Sequence, residues 1–104
     1  MKLSLIAPLS LLATPCTPAF SLQTDVAIVA AAASSSGDCR FVDTQQRIEA
    51  TGFFSSVDVI DAGAGTPTLA ELMTYDAIIT WSNFNFADSA ALGNVLADYH
   101  DAGG

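Results

Sequence analysis

The chain has 104 residues, of which 51% are apolar, and 11 acidic against 3 basic residues give it a formal net charge of −8. This length suffices for one small domain, and the apolar fraction is typical of a globular rather than a disordered protein. Nucleic-acid binding needs a basic face, and beyond Lys2 only Arg40 and Arg47 would supply one, so that class is disfavoured. The acidity instead favours the solubility of a secreted or surface protein.

Residues 1–21 have the pattern of a signal peptide. Lys2 supplies a positive start, Leu3–Ala13 supplies an apolar stretch, and small residues follow as a cleavage region. The stretch is too short to span a bilayer comfortably, and nothing after residue 21 is longer. A buried N-terminal helix is the alternative. The pattern predicts a signal peptide over residues 1–21, a domain over 22–104, and a secreted or cell-envelope location with no transmembrane segment after signal removal.

The first element after this leader is a buried strand, Asp25–Ala33, which is a continuous apolar run closed by serines and a glycine. Such a run is typical of a central strand that is covered on both faces of a parallel sheet. A helix is predicted through about Asp43–Thr51, with Asp43 as its cap and Gly52 in the left-handed conformation after its end.

The second half repeats the alternation of strand and helix. Val57–Ile60 reads as an edge strand because carboxylates flank it, and Thr68–Glu71 reads as a capping box that begins a short helix. Ala77–Trp81 is the third strand. A third helix begins at Asp88 or Ser89, and its spacing puts four residues on one face: Leu92, Val95, Leu96 and Tyr99.

Three strand–helix units predict an α/β fold with right-handed crossovers, a three-layer arrangement and a parallel sheet. The expected strand order is 2-1-3, which is the start of a flavodoxin-like sheet. The sequence stops after the third helix, and this leaves the third strand as an open apolar edge. We therefore expect a domain that is truncated after the third helix.

The second half resembles a known family. Tyr75-Asp76-Ala77-Ile78-Ile79, followed by Leu92 and by Leu96 to Gly104 (LADYHDAGG), is similar to a segment of class I glutamine-amidotransferase-like domains of the trehalose-utilisation type. The resemblance implies a flavodoxin-like fold in a secreted bacterial protein. In amidotransferases the nucleophilic cysteine follows a later strand, so no catalytic role is carried over to this chain.

The loop after the first strand is a candidate ligand site, because ligands bind at the carboxyl edge of open α/β sheets. The serines and the glycine of SSSGDC resemble a flavodoxin phosphate loop, and Ser34, Ser36 and Gly37 would let backbone amides approach a phosphate or a flavin. Asp38 counts against this reading through its negative charge. A plain polar loop is the alternative, and no cofactor is expected.

The loop after the third strand is a second candidate, because aromatic side chains alternate with amides there. Its surface would bind a sugar or a partner protein through five residues: Trp81, Asn83, Phe84, Asn85 and Phe86. The alternative is that Trp81 and one phenylalanine pack into the corner between sheet and helix.

No complete catalytic or metal-binding pattern is present in the sequence. Cys39 begins a predicted helix, but the only histidine, His100, ends another helix at the opposite edge of the sheet, so the two would not meet. Three carboxylates, Asp38, Asp61 and Asp88, form at most a solvated acidic rim. They match neither calcium nor zinc spacing.

These features predict a non-catalytic binding or structural α/β module of a larger secreted bacterial protein. The expected partner is the rest of its own polypeptide, another extracellular protein or a glycan. One alternative is the N-terminal part of a hydrolase or amidotransferase-like enzyme whose catalytic residues lie beyond residue 104. The other is binding of a flavin or phosphate ligand at the first loop. Whether the protein is an enzyme stays open at this point.

Overall fold

The computed structural model describes residues 24–104, so the predicted signal peptide over residues 1–21 lies outside the described residues. Three strands alternate with three helices along the chain. They are β1 (Asp25–Ala31), α1 (Cys39–Glu49), β2 (Ser56–Asp61), α2 (Leu69–Leu72), β3 (Ala77–Ser82) and α3 (Ser89–Asp101).

The strands form one parallel sheet in the order β2-β1-β3, which confirms the predicted fold class and strand order. β1 lies in the centre, where Ile28 pairs with Val59 of β2 on one side and with Ile79 of β3 on the other. From Val26 to Ala31 every residue of β1 is buried. The continuous apolar run of β1 therefore forms a central strand covered by helices on both faces, as the sequence predicted.

The two faces of the sheet carry different helices. Phe41 of α1 packs on a cluster that includes Ile28 and Val57, whereas α2 and α3 pack on the opposite face. The predicted apolar face of α3 is confirmed, since Leu92 and Tyr99 are buried and the residues between them, Val95 and Leu96, pack against the same cluster. This arrangement puts two helices on one face of three strands and only one helix on the other.

The first helix begins earlier than predicted. Asp38, not Asp43, is its N-cap, because the Asp38 carboxylate accepts a hydrogen bond from the Arg40 amide at 2.9 Å. Asp43 lies inside the helix and pairs with Arg47 one turn later, at 2.8 Å. The helix also ends two residues before the predicted Thr51, while Gly52 adopts the expected left-handed conformation with a φ of 76°.

Helix signals elsewhere in the chain are confirmed. The Thr68 hydroxyl accepts a hydrogen bond from the Glu71 amide at 3.1 Å, which is one of the two bonds of the predicted capping box. At the end of α3, Gly103 has a φ of 103°, and the amide of Gly104 donates to the carbonyl of Tyr99 at 2.9 Å. This is the Schellman arrangement, which satisfies carbonyls that the helix leaves free.

Of the two edge strands of the sheet, β3 is more exposed to solvent than β2. Within residues 24–104 no strand pairs with its outer side, and Ile79 remains 39% exposed. The part of the chain that the structure describes contains no helix of the length and apolarity needed to cross a membrane.

Candidate functional site

The candidate site lies at the carboxyl edge of the sheet, where all three parallel strands end. Because the strands run in one direction, the loops that follow them meet at the same edge. The loop after β3 is tied to the end of β1, since the amides of Asn83 and Phe84 both donate to the Ala31 carbonyl at 3.0 Å. The Asn83 side-chain amide also donates to the Ala32 carbonyl at 3.4 Å.

The loop after β1 is held by its own polar groups. The amide of Asp38 donates to the Ser35 carbonyl at 3.1 Å, and the amide of Gly37 donates to the Ser35 hydroxyl at 3.3 Å. These bonds give the loop a turn that leads directly into α1.

Asp38 and Arg40 neutralise each other at the start of α1. The Arg40 Nε and Nη2 atoms donate to the two Asp38 carboxylate oxygens at 2.9 and 3.1 Å. These bonds, followed by the one from the Arg40 amide, lower the pKa of Asp38 to about 2. The N-terminus of α1 therefore already holds a carboxylate, which an incoming phosphate would have to displace.

Phe84 and Arg40 form a second contact between the loops. The Arg40 guanidinium carbon lies 5.3 Å from the centre of the Phe84 ring, within the range of a cation–π interaction. The ring is nevertheless 51% exposed, so this aromatic side chain remains open to solvent beside the arginine.

Trp81 and Phe86 have packing roles. The Trp81 ring lies 6.3 Å from the Phe41 ring and belongs to the cluster beneath α1. Phe86 packs on the opposite face, against the cluster that includes Leu92. The predicted aromatic surface is thus divided between two faces of the sheet, and only Phe84 and the asparagines stay at the edge between them.

A cavity of about 230 Å³ brings together residues from all three loops, among them Ser34, Asp61, Phe84 and Asn85. Ser34 comes from the predicted phosphate loop, and Phe84 and Asn85 come from the predicted aromatic surface. Ser36 and Gly37 do not line this cavity. The structure therefore joins one part of each predicted site.

Gly63 is a lining residue that the sequence reasoning missed. Its amide donates to the Asp61 carboxylate at 2.9 Å, and a Cβ atom at this position would lie 3.1 Å from the same oxygen. The sequence signal was an aspartate followed two residues later by a glycine, directly after a strand.

Other polar candidates do not converge on the cavity. Cys39 is exposed at the start of α1, whereas His100 lies in the last turn of α3. Asp88 caps α3 by accepting the Ala91 amide at 3.0 Å. Across residues 24–104 no group of three or more His, Cys, Asp or Glu side chains is arranged to hold a metal ion.

Comparisons with family models, with curated proteins and with solved structures find no match for this chain. The resemblance to amidotransferase-like domains therefore stays a prediction from a few residues of the second half.

Proposed function

We propose that the chain is a non-catalytic binding or structural α/β module of a larger secreted bacterial protein, joined to its partner through the outer side of β3. One observation carries the proposal: the outer edge of β3 has no strand partner within residues 24–104. Such an edge presents unpaired backbone amides and carbonyls, and proteins usually protect it with charges, proline or a bulge. The strand sequence, AIITWS, contains no charge and no proline.

Apolar grooves flank β3 on both faces of the sheet. One groove, of about 370 Å³, lies between α1 and β3, and its apolar lining includes Val26, Ile48, Phe54, Ala77 and Ile79. The other, of about 330 Å³, lies between β3 and α3, and its apolar lining includes Phe86, Leu92 and Leu96. An occupant that pairs with β3 would therefore bury apolar side chains on both of its own faces.

The occupant that fits is an apolar strand with an attached helix, supplied by further polypeptide of the same secreted protein. A strand with two apolar faces is the kind found inside parallel sheets. The attached helix would pack in the groove between α1 and β3, beside α1.

The test is the association of the full chain when nothing covers β3. We expect the wild-type chain to self-associate as its concentration rises, and we expect Ile79→Lys to shift it towards monomer, because an edge lysine opposes strand pairing. Phe53→Lys is the matched control, since Phe53 is 81% exposed and lines neither of the two grooves. Sedimentation velocity measures the association, and circular dichroism checks that each variant folds.

Two outcomes would overturn the proposal. One is a wild-type chain that is a monodisperse, cooperatively folding monomer at every concentration. The other is an equal effect of Ile79→Lys and Phe53→Lys, which would mean that association does not involve β3.

A further inference from the structure

The cavity at the carboxyl edge is separate from the two grooves beside β3, and its lining favours a particular ligand chemistry. Three hydrogen-bonding side chains line it: Ser34 from the loop after β1, Asp61 from the end of β2 and Asn85 from the loop after β3. Ligand sites in proteins combine a concave surface with a small number of polar groups that fix the orientation of the ligand.

These polar groups keep free hydrogen-bonding capacity. Asp61 uses its Oδ1 atom to accept the Gly63 amide at 2.9 Å. No other residue in 24–104 bonds its Oδ2 atom, the Ser34 hydroxyl or the Asn85 side-chain amide. A carboxylate oxygen only accepts, whereas a hydroxyl and an amide both donate and accept. A matching ligand therefore carries groups that donate and also accept.

The charges at the cavity argue against an anionic ligand. Asp61 brings a carboxylate into the lining, and the nearby cation, Arg40, has its Nε and Nη2 atoms bonded to Asp38. A phosphate would meet the Asp61 charge with no free cation to offset it. A simple ammonium ion would satisfy Asp61, but it only donates and would leave the donors of Ser34 and Asn85 unused.

An apolar surface completes the cavity. The Phe84 ring lines it and is 51% exposed, and the Arg40 guanidinium carbon lies 5.3 Å from the ring centre. An exposed aromatic ring offers a flat face to the C–H groups of a ligand. The volume of about 230 Å³ is smaller than the roughly 300–1,000 Å³ of sites for drug-sized molecules, so it suits one small ring.

We propose that this cavity binds a small neutral polyol, the size of one sugar ring, with its hydroxyls on Ser34, Asp61 and Asn85 and its C–H face on Phe84. Hydroxyl groups donate to the carboxylate and exchange hydrogen bonds with the other two side chains in both directions. The proposal does not depend on what covers β3.

The test is a titration of the isotope-labelled full chain with methyl α-D-glucopyranoside and with myo-inositol, followed by NMR. We expect saturable shifts of the amides of Ser34, Gly63, Phe84 and Asn85, with a dissociation constant on the order of millimolar for so small a site. Phe84→Ala should weaken binding by about tenfold or more. Phe53→Ala is the control, because it removes an equally apolar and more exposed ring elsewhere, and it should leave binding unchanged.

Three outcomes would overturn this inference. The first is that neither polyol gives saturable shifts. The second is that Phe84→Ala and Phe53→Ala bind the polyols equally well. The third is that inorganic phosphate or methylammonium saturates the same amides while both polyols fail to do so, which would assign the cavity to a charged ligand.

Discussion

β1 and β3 are neighbouring strands of similar apolar character, yet they have opposite environments. Ile28 of β1 and Ile79 of β3 are partners in the register, but Ile28 is 0% exposed and Ile79 is 39% exposed. β1 has a strand on each side and helices over both faces, whereas β3 has a strand on one side only among the described residues 24–104. Position in the sheet, rather than residue type, therefore decides how much of an apolar side chain is buried.

This difference in burial assigns different roles to the two strands: β1 stabilises the fold, and β3 offers an edge for a partner. β1 holds the sheet together, because its residues lie in both apolar clusters. β3 contributes its inner side to that core and leaves its outer side free. The predictions below test this division.

The largest expected effect comes from truncating the paired isoleucines. Ile28→Ala removes a fully buried side chain and should cost about 2–5 kcal/mol of unfolding free energy, which would unfold a marginal domain. Ile79→Ala removes a side chain that is 39% exposed and should cost less, about 1–2 kcal/mol. Urea denaturation at low protein concentration measures both. Equal losses would contradict the comparison, because they would mean that β3 is as buried as β1.

A smaller loss of unfolding free energy is expected at the hydrogen bond that joins α3 to the segment just before β3. The Tyr99 hydroxyl donates to the Tyr75 carbonyl at 2.8 Å, and Tyr99 is only 6% exposed. Tyr99→Phe leaves that carbonyl without this partner and should cost about 1 kcal/mol. Asp101→Ala, at the exposed end of the same helix, is the control and should change the free energy of unfolding by less than about 0.5 kcal/mol. A Tyr99→Phe variant as stable as wild type would show that this bond does not hold β3 to the helices.

The smallest effect concerns Tyr75, which precedes β3 and reaches across to β2. Burial, followed by the hydrogen bond from its hydroxyl to Asp58 at 2.9 Å, raises the pKa of Tyr75 from 10.0 to about 12. The fold favours the neutral phenol, so this stabilisation is complete below pH 10 and is lost as the pH rises through about 12.

Ultraviolet titration of the phenolate measures the pKa of Tyr75 directly in the Tyr99→Phe background, since the chain contains 2 tyrosines. Asp58→Asn should lower the midpoint, because the neighbouring negative charge is removed. A midpoint near 10 in the folded protein would mean that Tyr75 makes no such contact with β2.

Much of the candidate site was readable from local sequence, and its assembly was not. The serines after β1 and the aromatic loop after β3 were each recognisable by composition. Composition did not show which aromatic side chains of this loop pack into the core and which stay exposed. In the structure the Trp81 ring lies near Phe41, while Phe84 stays exposed at the carboxyl edge. Which of two nearby aromatics is buried depends on the face of the sheet and on the helix above it, and neither is encoded within the loop.

The start of α1 shows the same limit at smaller scale. Asp38 and Asp43 are both plausible caps by residue type, and the choice of Asp38 depends on its bonds to the amide and the side chain of Arg40. Sequence spacing alone does not rank two acceptable caps that lie five residues apart.

By itself, the sequence determined the α/β class, the strand order, the buried character of β1 and the apolar face of α3. Hydrophobic periodicity acts locally along the chain and so predicts the elements and their buried faces, while the strand order followed from the common start of flavodoxin-like sheets. The tertiary structure alone decided that Ser34, Asp61, Gly63, Phe84 and Asn85 share one cavity and that two apolar grooves flank β3. These features arise between segments distant in sequence, where packing rather than local preference sets the distances.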